Sequence, residues 1–469
     1  MKRFLCSLSA NLRSWALLCL ALAATGCERT EPPLFRLNFE GVDPAAPPTP
    51  EINQQLVDVL DGFFGQPNKP YVVEESGLDF AKVALSSGPT YVNGLVVLQK
   101  YKGENDAKPI VRVVAGPQIR DDAESLVIAD HDLGETFVKK SEIIGTHKQA
   151  GLYRQHCAHC HGTTGDGDGP TATLLNPYPR DFRKGMFKFV SGKTGAQPTR
   201  EDLHHTLSEG IVGTGMPSFR LLSQADRDSL VEYVMYLSMR GQNETFFRDA
   251  LVEDPKVFEP DPADPEYDPY AYLIDEGVFD VSGWERAEKN GGIVPVARPN
   301  MPLEESIAKG RELYLDKRLN CIGCHGITGL GDGLGKANYD VWNEGKVEHP
   351  TWYSLPIQDL PPRNLRSGVY RGGRRPVDLY RRIYSGINPS KMPAFSTVFA
   401  GKEEQIWHLV DYVRAMPFEL NDEAGAVAQA AVAAQAAAQA AATGETTAPA
   451  AANAPATPVP PADDANPDE

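Results

Sequence analysis

The chain has 469 residues, enough for about three domains of ordinary size, and its 23% charged and 9% aromatic content excludes a wholly disordered polymer. A formal net charge of −17 argues against nucleic acid as a partner, because phosphate binding needs a basic footprint. The 42 glycines and 38 prolines point to a loop-rich fold, and the acidic stretches 241–300 and 421–469 hold most of the negative excess.

At the start of the chain, Lys2 and Arg3 precede an apolar run, Trp15 to Ala24, much shorter than the ~20 residues that span a bilayer. The leader closes on Ala24-Thr25-Gly26-Cys27, which resembles the lipobox of bacterial lipoproteins, with Ala24 where that motif usually has Leu. The resemblance implies a signal peptide over 1–26 and acylation of Cys27. The alternative is ordinary signal-peptidase cleavage after Ala21-Leu22-Ala23, which leaves Cys27 a free thiol. Both readings export the protein, and the first tethers it to a bacterial membrane on the periplasmic side, since no other segment is long and apolar enough to cross.

Residues 27–49 read as a Pro-rich linker. A helix follows at 50–64: Thr49 can cap it, Pro50 suits its first turn, and Ile52, Leu56, Val59 and Phe63 share one face. The β-like runs Gly94–Tyr101, Pro109–Ala115 and Ser125–Ala129 complete a small α+β domain over 50–135, which carries no metal cluster, phosphate loop or nucleophile motif. One use for such a domain is to dock a partner. Residues 241–300 form an acidic linker whose aromatics, including Phe246, Phe247 and Trp284, mark places where it packs. Residues 421–469 form a disordered Ala/Pro-rich tail.

Between these segments the chain repeats itself. Cys157-Ala-His-Cys-His-Gly162 returns as Cys321-Ile-Gly-Cys-His-Gly326, and Pro179-Arg180 returns as Pro362-Arg363. Met216-Pro217-Ser218-Phe219 returns as Met392-Pro393-Ala394-Phe395, and each unit, 136–240 and 301–420, ends in an apolar-periodic helix. In C-x-x-C-H two thiols can add to the vinyl groups of a haem, with the adjacent histidine held beneath the iron. Zinc would need four ligands per site, and a redox dithiol gives the histidine no role. Two copies, each followed by a matched Met-Pro, point to two covalently bound haem c groups. Cys157, Cys160, Cys321 and Cys324 are the attachment sites, and His161, Met216, His325 and Met392 the axial ligands. A thioether ligand favours the ferrous state and raises the potential.

These units resemble class I c-type cytochromes, over roughly 140–240 and 301–418. The resemblance implies a mainly α chain with two such helical domains in tandem. In the first unit it implies that Pro170 lends its carbonyl to the second nitrogen of His161, whereas the second loop lacks that proline and needs another carbonyl. Ser223, three residues before Asp226, can cap the first unit's final helix. Arg180 and Arg363 are candidates for haem propionates, with solvated loop arginines as the alternative. Arg366, Arg371, Arg374, Arg375, Arg381 and Arg382 form either a solvated face or a docking patch for an acidic partner or for the acidic linker. His156 and His159 are expected to be exposed, and His204, His205, His349 and His408 to be solvated or core residues.

The expectation is a lipid-anchored dihaem electron carrier in a periplasmic respiratory chain, working beside a quinol-oxidising complex, a dehydrogenase or a terminal oxidase. The first unit also resembles the monohaem subunit of the alternative quinol:cytochrome c oxidoreductase. The two-unit layout resembles the dihaem subunit of cbb-type oxidases, without that subunit's membrane helix. The enzymatic alternative is a dihaem cytochrome c peroxidase, which needs one open or displaceable distal position.

Overall fold

The computed structural model describes residues 34–419, apart from 89–94, 102–109, 131–133, 274–280, 336–339, 343–354 and shorter gaps elsewhere. The signal peptide, Cys27 and most of the Ala/Pro-rich tail lie outside the described residues. Among the described residues no helix is long and apolar enough to cross a membrane.

Helix α1 (Pro50–Phe64) begins as its sequence dictates, with the Thr49 side chain accepting from the N–H of Ile52 and Pro50 in the first turn. Its buried face is Leu56, Leu60, Phe63 and Phe64. After α2 (Phe80–Ser86) the chain turns to strands β1 (Leu95–Tyr101), β2 (Ile110–Gly116), β3 (Gln118–Asp121), β4 (Ser125–Asp130), β5 (Gly134–Lys139) and β6 (Ile143–His147). They form two antiparallel three-stranded sheets, ordered β2-β1-β6 and β3-β4-β5, with Leu98 opposite Val113 and Val127 opposite Phe137. The β part therefore runs past residue 135, to His147.

The long helix α6 (Gln224–Glu253), which follows α5 (Arg200–Glu209), organises this half of the molecule. Ser223 caps it, its hydroxyl accepting from the N–H of Asp226. The helix is buried on several sides at once, through Leu230, Tyr233, Tyr236, Leu237, Phe247 and Leu251. It extends thirteen residues beyond the expected end of the first unit at 240, into what reads in the sequence as linker. Phe63 of α1 meets Phe247 with ring centroids 5.9 Å apart, and Phe64 meets Tyr236 at 5.8 Å. Helices α1 and α2 thus share one core with the first repeat unit, rather than building a core of their own.

Inside the expected Pro-rich linker, Phe35 and Leu37 join the same core. Phe35 is buried beneath the guanidinium of Arg240, which stands 4.3 Å from its ring. The Arg240–Glu244 ion pair, 2.8 Å and almost wholly buried, holds the segment, because Glu244 also accepts from the N–H of Asn38. Arg248 donates to the Asn38 carbonyl at 2.8 Å. Both Glu244 oxygens are used, one by Asn38 and one by Arg240, which offsets part of the desolvation cost of burying the pair.

The second unit is built on α8 (Leu303–Leu315) and α11 (Gln405–Ala415), which pack face to face, with α9 (Cys321–His325) and α10 (Pro376–Ser385) beside them. Gly310 sits at the crossing, where a Cβ would come 2.0 Å from the carbonyl oxygen of His408. His408 itself is a core histidine, its Nδ1 2.7 Å from the Ser306 hydroxyl. The acidic linker re-enters as α7 (Val281–Asn290), whose Trp284 is buried against Phe187. Beyond it, Trp407 donates to the Val296 carbonyl at 2.8 Å, and Arg298 pairs with Asp411 at 2.9 Å.

Two glycine-to-alanine substitutions should move stability in opposite directions. Gly310→Ala is expected to destabilise by about 1–3 kcal/mol, because a backbone carbonyl blocks the new methyl. Gly62→Ala, in α1 with open space around it, should stabilise by about 0.5–1 kcal/mol. Denaturant unfolding of the two variants checks both signs.

Candidate functional site

The first C-x-x-C-H sits on two short helices, α3 (Leu152–His156) and α4 (Ala158–His161), which stop at Gly162 with φ +73°. Cys157 is buried and Cys160 half-buried. Both lack a disulfide partner, as do Cys321 and Cys324. His161 is buried and stacked on Phe182, with centroids 4.5 Å apart and planes at 17°. Its Nδ1 lies 3.0 Å from the carbonyl oxygen of Arg180. A carbonyl can only accept, so Nδ1 carries the proton and Nε2 keeps a free lone pair. Burial pushes the His161 imidazole down to about 4, which keeps the ring neutral as a metal ligand requires.

The second site repeats this arrangement. His325 places Nδ1 2.9 Å from the carbonyl oxygen of Arg363, and burial lowers its affinity for a proton as well. The carbonyl orienting His161 therefore belongs to Arg180, not to Pro170 as the resemblance implied. One mechanism serves both units, and the missing proline of the second loop costs it nothing. The echoed Pro-Arg has a main-chain role in each unit.

The match extends through the supporting hydrogen bonds. Tyr153 donates to the Gly162 carbonyl at 2.9 Å, and Tyr314 to that of Gly326 at 2.7 Å. Gly167 and Gly331 donate to the carbonyls of His161 and His325 at 3.0 and 2.8 Å. Both glycines have positive φ, and a Cβ there would strike the carbonyl oxygen of Pro179 or Pro362 at 2.6 or 2.3 Å. The loop must carry glycine at this point because the Pro-Arg strand runs against it.

The methionine loops are also superimposable in pattern. Ile211 and Ile387 each donate to the carbonyl of Met216 or Met392 at 3.1 Å. The Met216 N–H reaches the Thr214 hydroxyl at 3.1 Å, and that of Met392 reaches the Ser390 hydroxyl at 3.2 Å. In the first unit Met216 lines the same cavity as Cys157, Cys160 and His161. Leu175, Phe187, Phe189, Leu203, Ile211, Phe219 and Val231 make most of the remaining wall apolar.

This donor set fits a covalently attached haem: paired thiols, a neutral imidazole with its outer nitrogen occupied, and a thioether lining the same apolar cavity. Among the described residues no group of three or more His, Cys, Asp or Glu side chains could hold a metal ion, so neither C-x-x-C is completed into a zinc site there. Of the flanking histidines, His159 is exposed as expected. His156 is half-buried instead, packed 6.1 Å from the Phe219 ring.

Within the arginine-rich segment of the second unit, Arg366 and Arg375 pair with Glu419 and Asp378, whereas Arg381 and Arg382 form an internal docking surface. Arg382 donates to the Lys188 carbonyl at 3.1 Å and to that of Val190, and Arg381 donates to the Ile293 carbonyl of the linker at 3.0 Å. Ser385 donates to the Gly192 carbonyl at 2.8 Å, and Thr194 returns a bond to Ser385 at 2.7 Å. Residue types alone could not reveal this, because every acceptor is a main-chain carbonyl.

Two segments of the chain, 149–238 and 307–417, match the family model of cytochrome c. No curated protein matches the chain. A chain of the Kuenenia stuttgartiensis reducing HAO-like protein complex is similar at 25% identity with a TM-score of 0.39, covering 56% of this chain and 93% of that one. The two matched segments support a c-type cytochrome, a family of electron-transfer proteins that hold haem c covalently.

Tyr153→Phe and Tyr314→Phe each remove the shorter of two bonds to a buried glycine carbonyl, which keeps only the N–H of Gly165 or Gly329 at 3.3 Å. Each should cost about 0.5–1.5 kcal/mol of stability, measured by denaturant unfolding followed at the far-ultraviolet helix signal.

Proposed function

We propose that the protein is a dihaem c-type cytochrome that passes single electrons. Cys157 and Cys160 hold the first haem, and Cys321 and Cys324 the second. His161 with Met216, and His325 with Met392, supply the axial ligands. The observation that carries this reading is the duplicated histidine–carbonyl bond, from His161 to Arg180 and from His325 to Arg363, which presents one Nε2 lone pair in each unit. When bound, haem supplies a one-electron iron couple. The chain's residues then hold the ring orientation, exclude water through the apolar wall, and favour the reduced state through sulfur.

Two complete ligand sets suit a carrier better than a peroxidase, which needs one open or displaceable position. Acylation at Cys27 would tether the carrier to a bacterial membrane on the periplasmic side. There it would exchange electrons with a quinol-oxidising complex, a dehydrogenase or a terminal oxidase of a respiratory chain.

Haem content and ligand variants test this reading. The wild type should carry two covalent haems per chain. Met216→Ala and Met392→Ala should each abolish one methionine–iron charge-transfer band and lower one midpoint potential. Retention of both bands in the double variant, or turnover of hydrogen peroxide by the half-reduced wild type, would defeat the assignment.

A further inference from the structure

The cavity of the first unit is not closed by the first unit alone. Arg371, which belongs to the second, lines the same cavity as His161 and Met216. It is half-buried, and among the described residues it makes no hydrogen bond or ion pair. Its Nε is shielded from solvent and has no partner. A guanidinium left in this state loses hydration with nothing in return, unless an anion supplies the missing acceptors.

The surroundings hold Arg371 in place without neutralising it. The next residue, Gly372, lies so close to Phe189 of the cavity wall that a Cβ would approach the ring at 2.8 Å. Arg382 and Ser385, bonded to carbonyls of 188–192, fix the rest of this face. The carboxylate of Asp202 also lines the cavity, but it accepts from the Ser191 N–H and hydroxyl and from the Thr199 N–H. Arg180 and Lys188 also line the cavity, and the charge that acts on Arg371 is another cation, Arg363, which lies beside Gly213 in the methionine loop of the first unit. Burial and the Arg363 charge both lower the proton affinity of Arg371, as expected of a cation lacking its counter-ion. An apolar cavity edged by an uncompensated guanidinium suits a flat apolar group that carries carboxylates.

We infer that Arg371 binds a propionate carboxylate of the haem seated in the first unit, so that this haem site is completed by the second unit. The inference rests on the haem reading given above. It assigns to Arg371 a role for which Arg180 and Arg363 were the sequence candidates, and it couples the first haem to the docking of the two units.

The test uses the full-length holoprotein and compares Arg371→Gln and Arg371→Lys with Arg374→Gln, a change at an exposed neighbouring arginine. Loss of the cation should lower the potential of the haem that Met216→Ala identifies, shifting its reduction equilibrium by about three- to tenfold. The potential of the other haem should stay in place. The freed propionate should also titrate nearer neutrality, so that the first potential becomes more pH-dependent in Arg371→Gln. Arg371→Lys, which keeps the charge, should restore most of both effects.

Equal shifts in Arg371→Gln and Arg374→Gln, or a shift of the second haem instead, would overturn the inference. So would a shift seen only in phosphate buffer, which would assign the site to a free anion. Haem stoichiometry separates the two readings: fewer than two covalent haems in the wild type defeats the haem reading itself, whereas two haems with unmoved potentials defeats the role of Arg371 alone.

Discussion

The bond from each motif histidine to the carbonyl of a Pro-Arg arginine is the constraint on which the rest of both sites depends. A carbonyl acceptor 2.9–3.0 Å from Nδ1 decides the tautomer, and the tautomer leaves Nε2 a base. To keep that carbonyl in place, the Pro-Arg strand must run against the Gly-Asp-Gly loop. The strand is fixed in turn by the N–H of Phe182 or Leu365 donating to Gly165 or Gly329, at 2.7 Å in both units. Glycines that look like loop filler in the sequence are therefore places where one backbone presses on another.

Much of the site was legible because its chemistry is local. The C-x-x-C-H motifs, the methionine loops and the caps at Thr49 and Ser223 depend on residues a few positions apart, so spacing carries the information. The strands at 95–101, 110–116 and 125–130 were legible for the same reason, through alternation and flanking turn residues. What stayed hidden is long-range. No local pattern could say that Phe35 would lie under Arg240, or that α1 would meet the far end of α6. A linker was expected there because prolines and acidic residues dominate the composition, while the few aromatics that bury (Phe35, Phe247 and Trp284) do the packing.

The histidine's acceptor shows how a resemblance can find the right interaction and the wrong residue to accept it. Any carbonyl at the correct distance serves, so residue type leaves almost no trace. The better signal was the recurrence of Pro-Arg itself: a dipeptide repeated at matching places in both units marks a backbone position as readily as a side-chain role. The arginines of the second unit follow the same logic, since Arg381 and Arg382 bond to main-chain oxygens that composition cannot display.

The seam between the two units is made of guanidinium and hydroxyl groups meeting amide oxygens. Burial brings Arg382 down to about 10, so it remains cationic through the neutral range, and its carbonyl partners have no proton to gain or lose. The bonds themselves contain no titrating acceptor, and the carboxylate of Asp202 acts one step back by holding Ser191 in the loop that supplies the carbonyls. The placement of one C-x-x-C-H cradle relative to the other is thus set where side-chain donors of one repeat grip the bare peptide oxygens of its twin.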